Sequence, residues 1–95
     1  MNQRDITPYE TDLIGTWIER NGHVEGDLAT NRINWLINER LERLGSDKSG
    51  WDILFRDPQD GRLWELTYPH SELHGGGPPR LTNIDLDIAK KKYDF

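Results

Sequence analysis

WDILFRDPQDGRLWELTYPHSELHGGGPP, residues 51–79, decides the fold of this chain. Trp51, Ile53 and Phe55 alternate with Asp52, Leu54 and Arg56, and further on Trp64, Leu66 and Tyr68 alternate with Leu63, Glu65 and Thr67. A period of two sends successive side chains to opposite faces, so the runs predict two strands, with Trp51, Phe55 and Trp64 read as core and Tyr68, at the strand end beside Pro69, either anchoring the loop or meeting a partner. Between them Asp57-Pro58-Gln59-Asp60-Gly61 suits a turn of about four or five residues with Gly61 at positive φ. Pro69 ends the second strand, and the three glycines and two prolines of residues 75–79 exclude a regular helix at the end of the loop that follows.

Upstream, Leu13, Ile14, Trp17, Ile18 and Val24 flank Asn21-Gly22, a dipeptide suited to the positive φ angles of a two-residue hairpin turn. That turn would set Arg20 opposite His23 and Glu19 opposite Val24. Trp17 would then lie against Gly26, whose missing side chain leaves room for an indole. Residues 28–44 predict the main helix, with Ala29, Ile33, Leu36, Ile37, Leu41 and Leu44 spaced by threes and fours, Asp27 or Thr30 as N-cap, and Gly45 as its end. Trp35 and Leu28 share the opposite side, where either a second layer, such as the N-terminal segment, covers them or they form an exposed patch. Downstream, residues 80–84 predict a last strand. Asp85 then caps a short helix through Leu86, Ile88, Ala89 and Tyr93, with Lys90, Lys91 and Lys92 near its C-terminus.

The expected architecture is α+β: a small antiparallel sheet of about four or five strands packed on one main helix, with a short C-terminal helix. At 95 residues the chain makes a single domain, residues 1–95, whose four Trp, three Tyr and two Phe supply the core that a mean hydropathy of −0.86 otherwise leaves thin. With no Cys there is no disulfide framework or thiolate metal site, which fits a reducing compartment. No apolar run approaches the roughly 20 residues of a membrane helix, and the polar start lacks the layout of a signal peptide, so the expectation is a cytoplasmic protein with no membrane contact. A formal charge of −5 disfavours direct binding of nucleic acid and suits a cationic partner.

Chemistry is sparse. His70, Glu72 and His74 offer two imidazoles around a carboxylate, the basis of an alternative reading as a small metal-dependent enzyme. Yet a catalytic zinc wants three protein ligands, and Pro69 and Gly75 bound a segment with the wrong helical spacing. A simpler role for His70 or His74 is to hydrogen-bond carbonyls of the glycine loop. Ser71 has no nucleophile-elbow context, and the glycine run lacks the lysine and hydroxyl of a phosphate loop. The expectation is therefore no catalytic residue, no metal and no cofactor. Glu65 and Thr67 on the solvent side of their strand, with Asp57, Asp60 and Glu72, compose either one acidic binding surface or an ordinary solvated face in which Glu65 pairs with Arg56 or Arg62.

Taken as words, Trp51, Arg56-Asp57-Pro58, Asp60-Gly61-Arg62, the Trp64-Glu65-Leu66-Thr67-Tyr68-Pro69 run and His74-Gly75-Gly76-Gly77-Pro78-Pro79 resemble the immunity protein 27 family of bacterial polymorphic toxin systems. Weaker agreement extends to Gly15-x-Trp17, Arg32-Ile33-x-x-Leu36 and Ala89 to Tyr93, while Phe55 and Leu63 depart from the expected aromatic residues. The resemblance implies an antidote that is not an enzyme. Its partner would be the C-terminal domain of a cognate toxin, such as a nuclease, with a basic active-site cleft that it blocks. The toxin-binding residues expected are Asp60, Glu65, Tyr68, His70, Glu72 and His74, with Asn31, Trp35 and Glu39 on the helix as further candidates for discriminating one toxin from another. A scaffold role in a larger assembly would follow instead from exposed Leu28 and Trp35 driving self-association.

Overall fold

The two alternating runs pair with each other in the computed structural model, which describes residues 3–70 and 77–95. Strand β5 (Ile53–Arg56) lies antiparallel to β6 (Leu63–Thr67) with Leu54 opposite Glu65 and Phe55 opposite Trp64. Gly61 closes the turn between them at φ 78°. The buried Asp57 organises that turn, accepting from the Gln59 amide at 2.9 Å while its own amide bonds the Arg62 carbonyl at 2.9 Å. With β1 (Asp12–Ile14), β4 (Glu42–Ser46) and β7 (Arg80–Ile84) they form one antiparallel sheet in the order β1-β7-β6-β5-β4. A separate two-stranded hairpin, β2 (Trp17–Arg20) and β3 (His23–Gly26), turns at Asn21 and Gly22, φ 53° and 81°. Its register pairs Trp17 with Gly26 and Arg20 with His23, as the two-residue turn demands.

Helix α1 (Leu28–Trp35) starts where the Asp27 carboxylate accepts from the Thr30 amide at 2.8 Å. It continues as a π-helical turn, Leu36–Arg40, closed by the Leu41 amide on the Leu36 carbonyl at 2.8 Å. The helix expected to reach Leu44 therefore stops four residues short, and Gly45 lies inside β4 beside a bulge. Leu41 packs against the core on one side of the sheet and Leu44 against the core on the other. A continuous helix would have put both on one face. Trp51, expected in the core, is instead 61% exposed: residues 47–52 are used up in reversing the chain between β4 and β5. In that turn Asp47 accepts from Ser49, Gly50 and Asp52, and Gly50 adopts φ 80°.

Both faces of the sheet are covered. On one, Ile33 and Leu36 close over Phe55, Trp64, Leu66 and Leu81, and Ile6 from the N-terminal segment completes this larger core. On the other, helix α2 (Leu86–Lys92) and Tyr93 lay Ala89 and the phenol against Leu54 and Leu63. Leu86 and Ile88 stay about half exposed, as does Phe95. Trp35 is half buried against the main core with the Arg40 guanidinium 5.8 Å from its ring centre, whereas Leu28 is 66% exposed.

Ahead of β1 the chain has no regular structure, so its backbone groups need other partners. Two arginines supply them, and a third ties down a side chain of the segment. Arg32 binds the Arg4 and Asp5 carbonyls and grips the Glu10 carboxylate with two nitrogens at 2.6 and 2.8 Å. Arg62 donates to the carbonyls of Thr7 and Glu10, and Arg40 forks onto Asp5.

The Arg32 fork, against the opposing effect of burial, holds the Glu10 carboxyl down at about 2 from an ordinary 4.5. A carboxylate with a depressed folded pKa stabilises fully above its ordinary pKa and loses that contribution as pH falls toward the folded value. Urea midpoints are thus expected to hold steady above about pH 5 and to fall between pH 4.5 and 2, with Glu10→Gln lowering the plateau and flattening the fall. Arg32→Ala, which strands a largely buried carboxylate, is expected to cost about 2–4 kcal/mol by urea denaturation. Tyr93→Phe, which keeps the ring and removes the bond its hydroxyl gives Glu65, should cost about 1–3 kcal/mol in the same measurement.

Candidate functional site

Strand β6 carries the sequence-predicted site residues along its length and beyond both ends, and its geometry separates them. At a rise of about 3.4 Å per residue, Leu63 and Thr67 lie about 14 Å apart, so Asp60 and His70 stand at opposite ends of the strand. Parity divides them further. Glu65 faces α2, whereas Tyr68 packs with Trp64 and Leu66 on the α1 side. Glu72 and His74 lie outside the described residues.

Of the carboxylates expected to form an open acidic surface, Asp57, Asp60 and Glu65 are engaged within the molecule. Glu65 is only 15% exposed; it accepts from the Tyr93 hydroxyl at 2.7 Å and meets the Lys92 ammonium at 2.6 Å. This corrects its assignment to a solvent face, and the pairing is with Lys92 rather than Arg56 or Arg62. Arg56 pairs with Glu42 across β4 and β5 instead. Burial, aided by the hydrogen bond to Glu65, pushes the Tyr93 hydroxyl far above its ordinary pKa. Lys92, bridging Glu65 and Asp52, is raised because those two bonds outweigh the burial that acts against its charge. Asp60 is bound by Arg62 through both its amide and its guanidinium, contacts that outweigh burial and keep its carboxyl below the usual range.

A concavity among the described residues opens at the other end of β6. It is a cleft of about 450 Å³, lined by Ile14, Gly15, Thr16 and Trp17 on one wall and by Pro69, His70, Pro78, Pro79 and Arg80 on the other. The walls are stiff for reasons visible in the chain. Gly15 donates its amide to the Pro79 carbonyl at 2.8 Å, and a Cβ there would sit 2.5 Å from the Thr30 hydroxyl. Asp27 accepts from the Thr16 amide and hydroxyl as well as from Thr30. Burial opposes the charge of Asp27, but those bonds prevail and hold its carboxyl at about 2. On the rim Arg80 forks onto Asp12 at 2.9 and 2.7 Å, tying β7 to β1. Ile14 is left 55% exposed at the lip, and Trp17 is half buried.

Trp17 leads from the cleft onto the hairpin. Cross-strand pairing puts Trp17, Glu19 and Val24 on one face of β2 and β3, and every residue from 19 to 25 is exposed. Glu19 makes no ion pair among the described residues, whereas Glu25 pairs with Arg20. The cleft therefore gathers His70 from the predicted set, next to Tyr68, and adds Ile14, Thr16, Trp17 and Arg80. Their only sequence signal was the Gly15-x-Trp17 word. What the arrangement offers is a preformed apolar recess with polar groups on its rim, a design for holding a side chain. Among the described residues no cluster of three His, Asp or Glu is placed to hold a metal ion, and no helix is long and apolar enough to cross a membrane.

A model of the family described as immunity protein 27 matches residues 19–85. No curated protein and no solved structure matches the chain. The matched span runs from the hairpin through α1 and the Asp60-Gly61-Arg62 turn to the end of β7, well over half of the sequence and nearly all of the sheet. On that match the chain belongs to the immunity protein 27 family.

Proposed function

We propose that this immunity protein neutralises its toxin by binding the toxin's C-terminal domain one to one in the cytoplasm and covering its active site, without catalysis. The observation that carries the proposal is the convergence of Gly15-x-Trp17, Pro69-His70 and Pro78-Pro79 on a single cleft, with an exposed hairpin rising beside it. A recess whose walls are already fixed loses little entropy when an apolar side chain of the partner enters it. The hairpin β2–β3 projects polar and apolar groups that a concave active site can receive. Net charge of −5 steers a toxin with a basic cleft, such as a nuclease, while Glu19 beside Trp17 supplies a local carboxylate. Tyr68 and His70 from the expected interface lie at this end of the sheet. Asp60 and Glu65 serve the fold through Arg62, Lys92 and Tyr93.

Isothermal titration against the inactivated C-terminal domain of the toxin encoded beside this protein is the test. One-to-one binding is expected, weakened by about 10- to 100-fold in Ile14→Asp, whose side chain is exposed and whose replacement spares the core. Asp60→Asn should bind within about twofold of the parent protein. Unchanged affinity in a folded Ile14→Asp, Trp17→Ala double variant would remove the cleft from the interface.

A further inference from the structure

We propose that the turn at residues 47–52 and the last turn of α2 form a second docking surface, one that takes a carboxylate-rich face of a protein partner. Its chemistry is unlike the rest of the molecule. Arg20, Arg32, Arg40, Arg56, Arg62 and Arg80 are each committed to a carboxylate of the chain itself. All the lysines of the chain, in contrast, converge from distant parts of the sequence: Lys48 on the turn and Lys90, Lys91 and Lys92 on α2 line one depression of about 390 Å³. Lys92 is spent on Asp52 and Glu65, which dock the helix end against the turn. Lys48, Lys90 and Lys91 make no ion pair among the described residues.

Two acidic residues share the depression, Asp47 and Asp94. Asp47 is engaged by the turn's own amides and the Ser49 hydroxyl, and four lysines line the depression against two carboxylates. Counting the Asp52 and Glu65 carboxylates that hold Lys92, the cluster is balanced whereas the chain carries −5, so Lys48, Lys90 and Lys91 are the positive groups it offers to a partner. Trp51, in the same turn as Lys48, is 61% exposed, an unusual condition for an indole and a typical one for an anchor at the centre of a protein interface. A lysine cluster beside an indole also suits single-stranded nucleic acid. Here the flanking Asp47 and Asp94 and the overall negative charge oppose a phosphate backbone, and three available ammonium groups release too few counterions to overcome them. Carboxylates spaced on a folded partner need no such sustained field.

This surface lies apart from the cleft, and its test uses no toxin. The intact isotope-labelled protein is titrated at low salt with an octaglutamate peptide. Amide shifts confined to residues 46–52 and 88–94 are expected, together with shielding of Trp51 from iodide quenching. Affinity should fall by about tenfold in a Lys48→Glu, Lys90→Glu, Lys91→Glu variant, and added salt should weaken binding by the parent protein. Trp51→Ala, a change at an exposed position, should lower affinity without moving the unfolding midpoint, and serves in place of the triple variant if that variant fails to fold. Absent or scattered shifts, or equal affinity in the folded variants, overturn the proposal. So does a twelve-residue oligothymidine that binds the same amides more tightly than the peptide, which would assign the surface to nucleic acid.

Discussion

The Asp27 carboxylate is the joint on which the cleft, the hairpin and the main helix depend. One side chain caps α1 through the Thr30 amide and holds Thr16 at the base of β2, while the Thr30 hydroxyl returns a bond to the Thr16 carbonyl. Gly15 and Gly26 let the chain pass close to Thr30, and Gly15 joins the knot to Pro79 and hence to the sheet. Since these bonds all converge within one turn of helix, hydrogen bonds fix much of the hairpin's direction relative to the cleft. A hairpin of two short strands is marginal alone in water, and this one pairs with no other strand. Its placement rests on the Asp27 knot and on the half-buried Trp17.

Charge in this molecule is used mostly inward. Arg32 and Arg62 substitute for the missing secondary structure of the N-terminal segment, Arg80 ties the edge strand, and Glu65 receives Lys92 and Tyr93 beneath α2. The sheet is therefore sandwiched between two unlike layers, a hydrocarbon-rich one under α1 and one under α2 in which a phenol, an ammonium and a carboxylate accompany Leu54 and Leu63. Surfaces left to meet other molecules are correspondingly few, which gives weight to the exposed hairpin and to Trp51.

Much of the fold was legible because local rules decided it. Asn21-Gly22 fixed one hairpin and its register and Gly61 the turn of the other, and the short helix begins after Asp85 as expected, although that side chain makes no capping hydrogen bond. Local rules failed where two structures shared one pattern. Leu41 and Leu44 continue the helical spacing, yet each serves a different core, and nothing in the interval from 41 to 45 announces the change to extended backbone. The second covered face was hinted at by Leu54 and Leu63 among otherwise polar neighbours, but its cover arrives from Ala89 and Tyr93, far along the chain. The same distance hid the fate of Glu65. A carboxylate on a strand reads as solvent-facing until the helix that supplies its ammonium is placed. The candidate cleft was legible only in part, since His70 and Tyr68 were singled out while Ile14, Thr16 and Arg80 reach it through strand pairing.

The arginine straps give this protein a particular order of assembly. Residues 4–10 leave the ribosome before α1, which carries Arg32, and well before the turn that carries Arg62, so their carbonyls and the apolar Ile6 must wait for partners not yet made. The segment synthesised ahead of α1 and the β5–β6 turn is thus the one whose docking completes the larger core, acting as a latch drawn across both once they are in place.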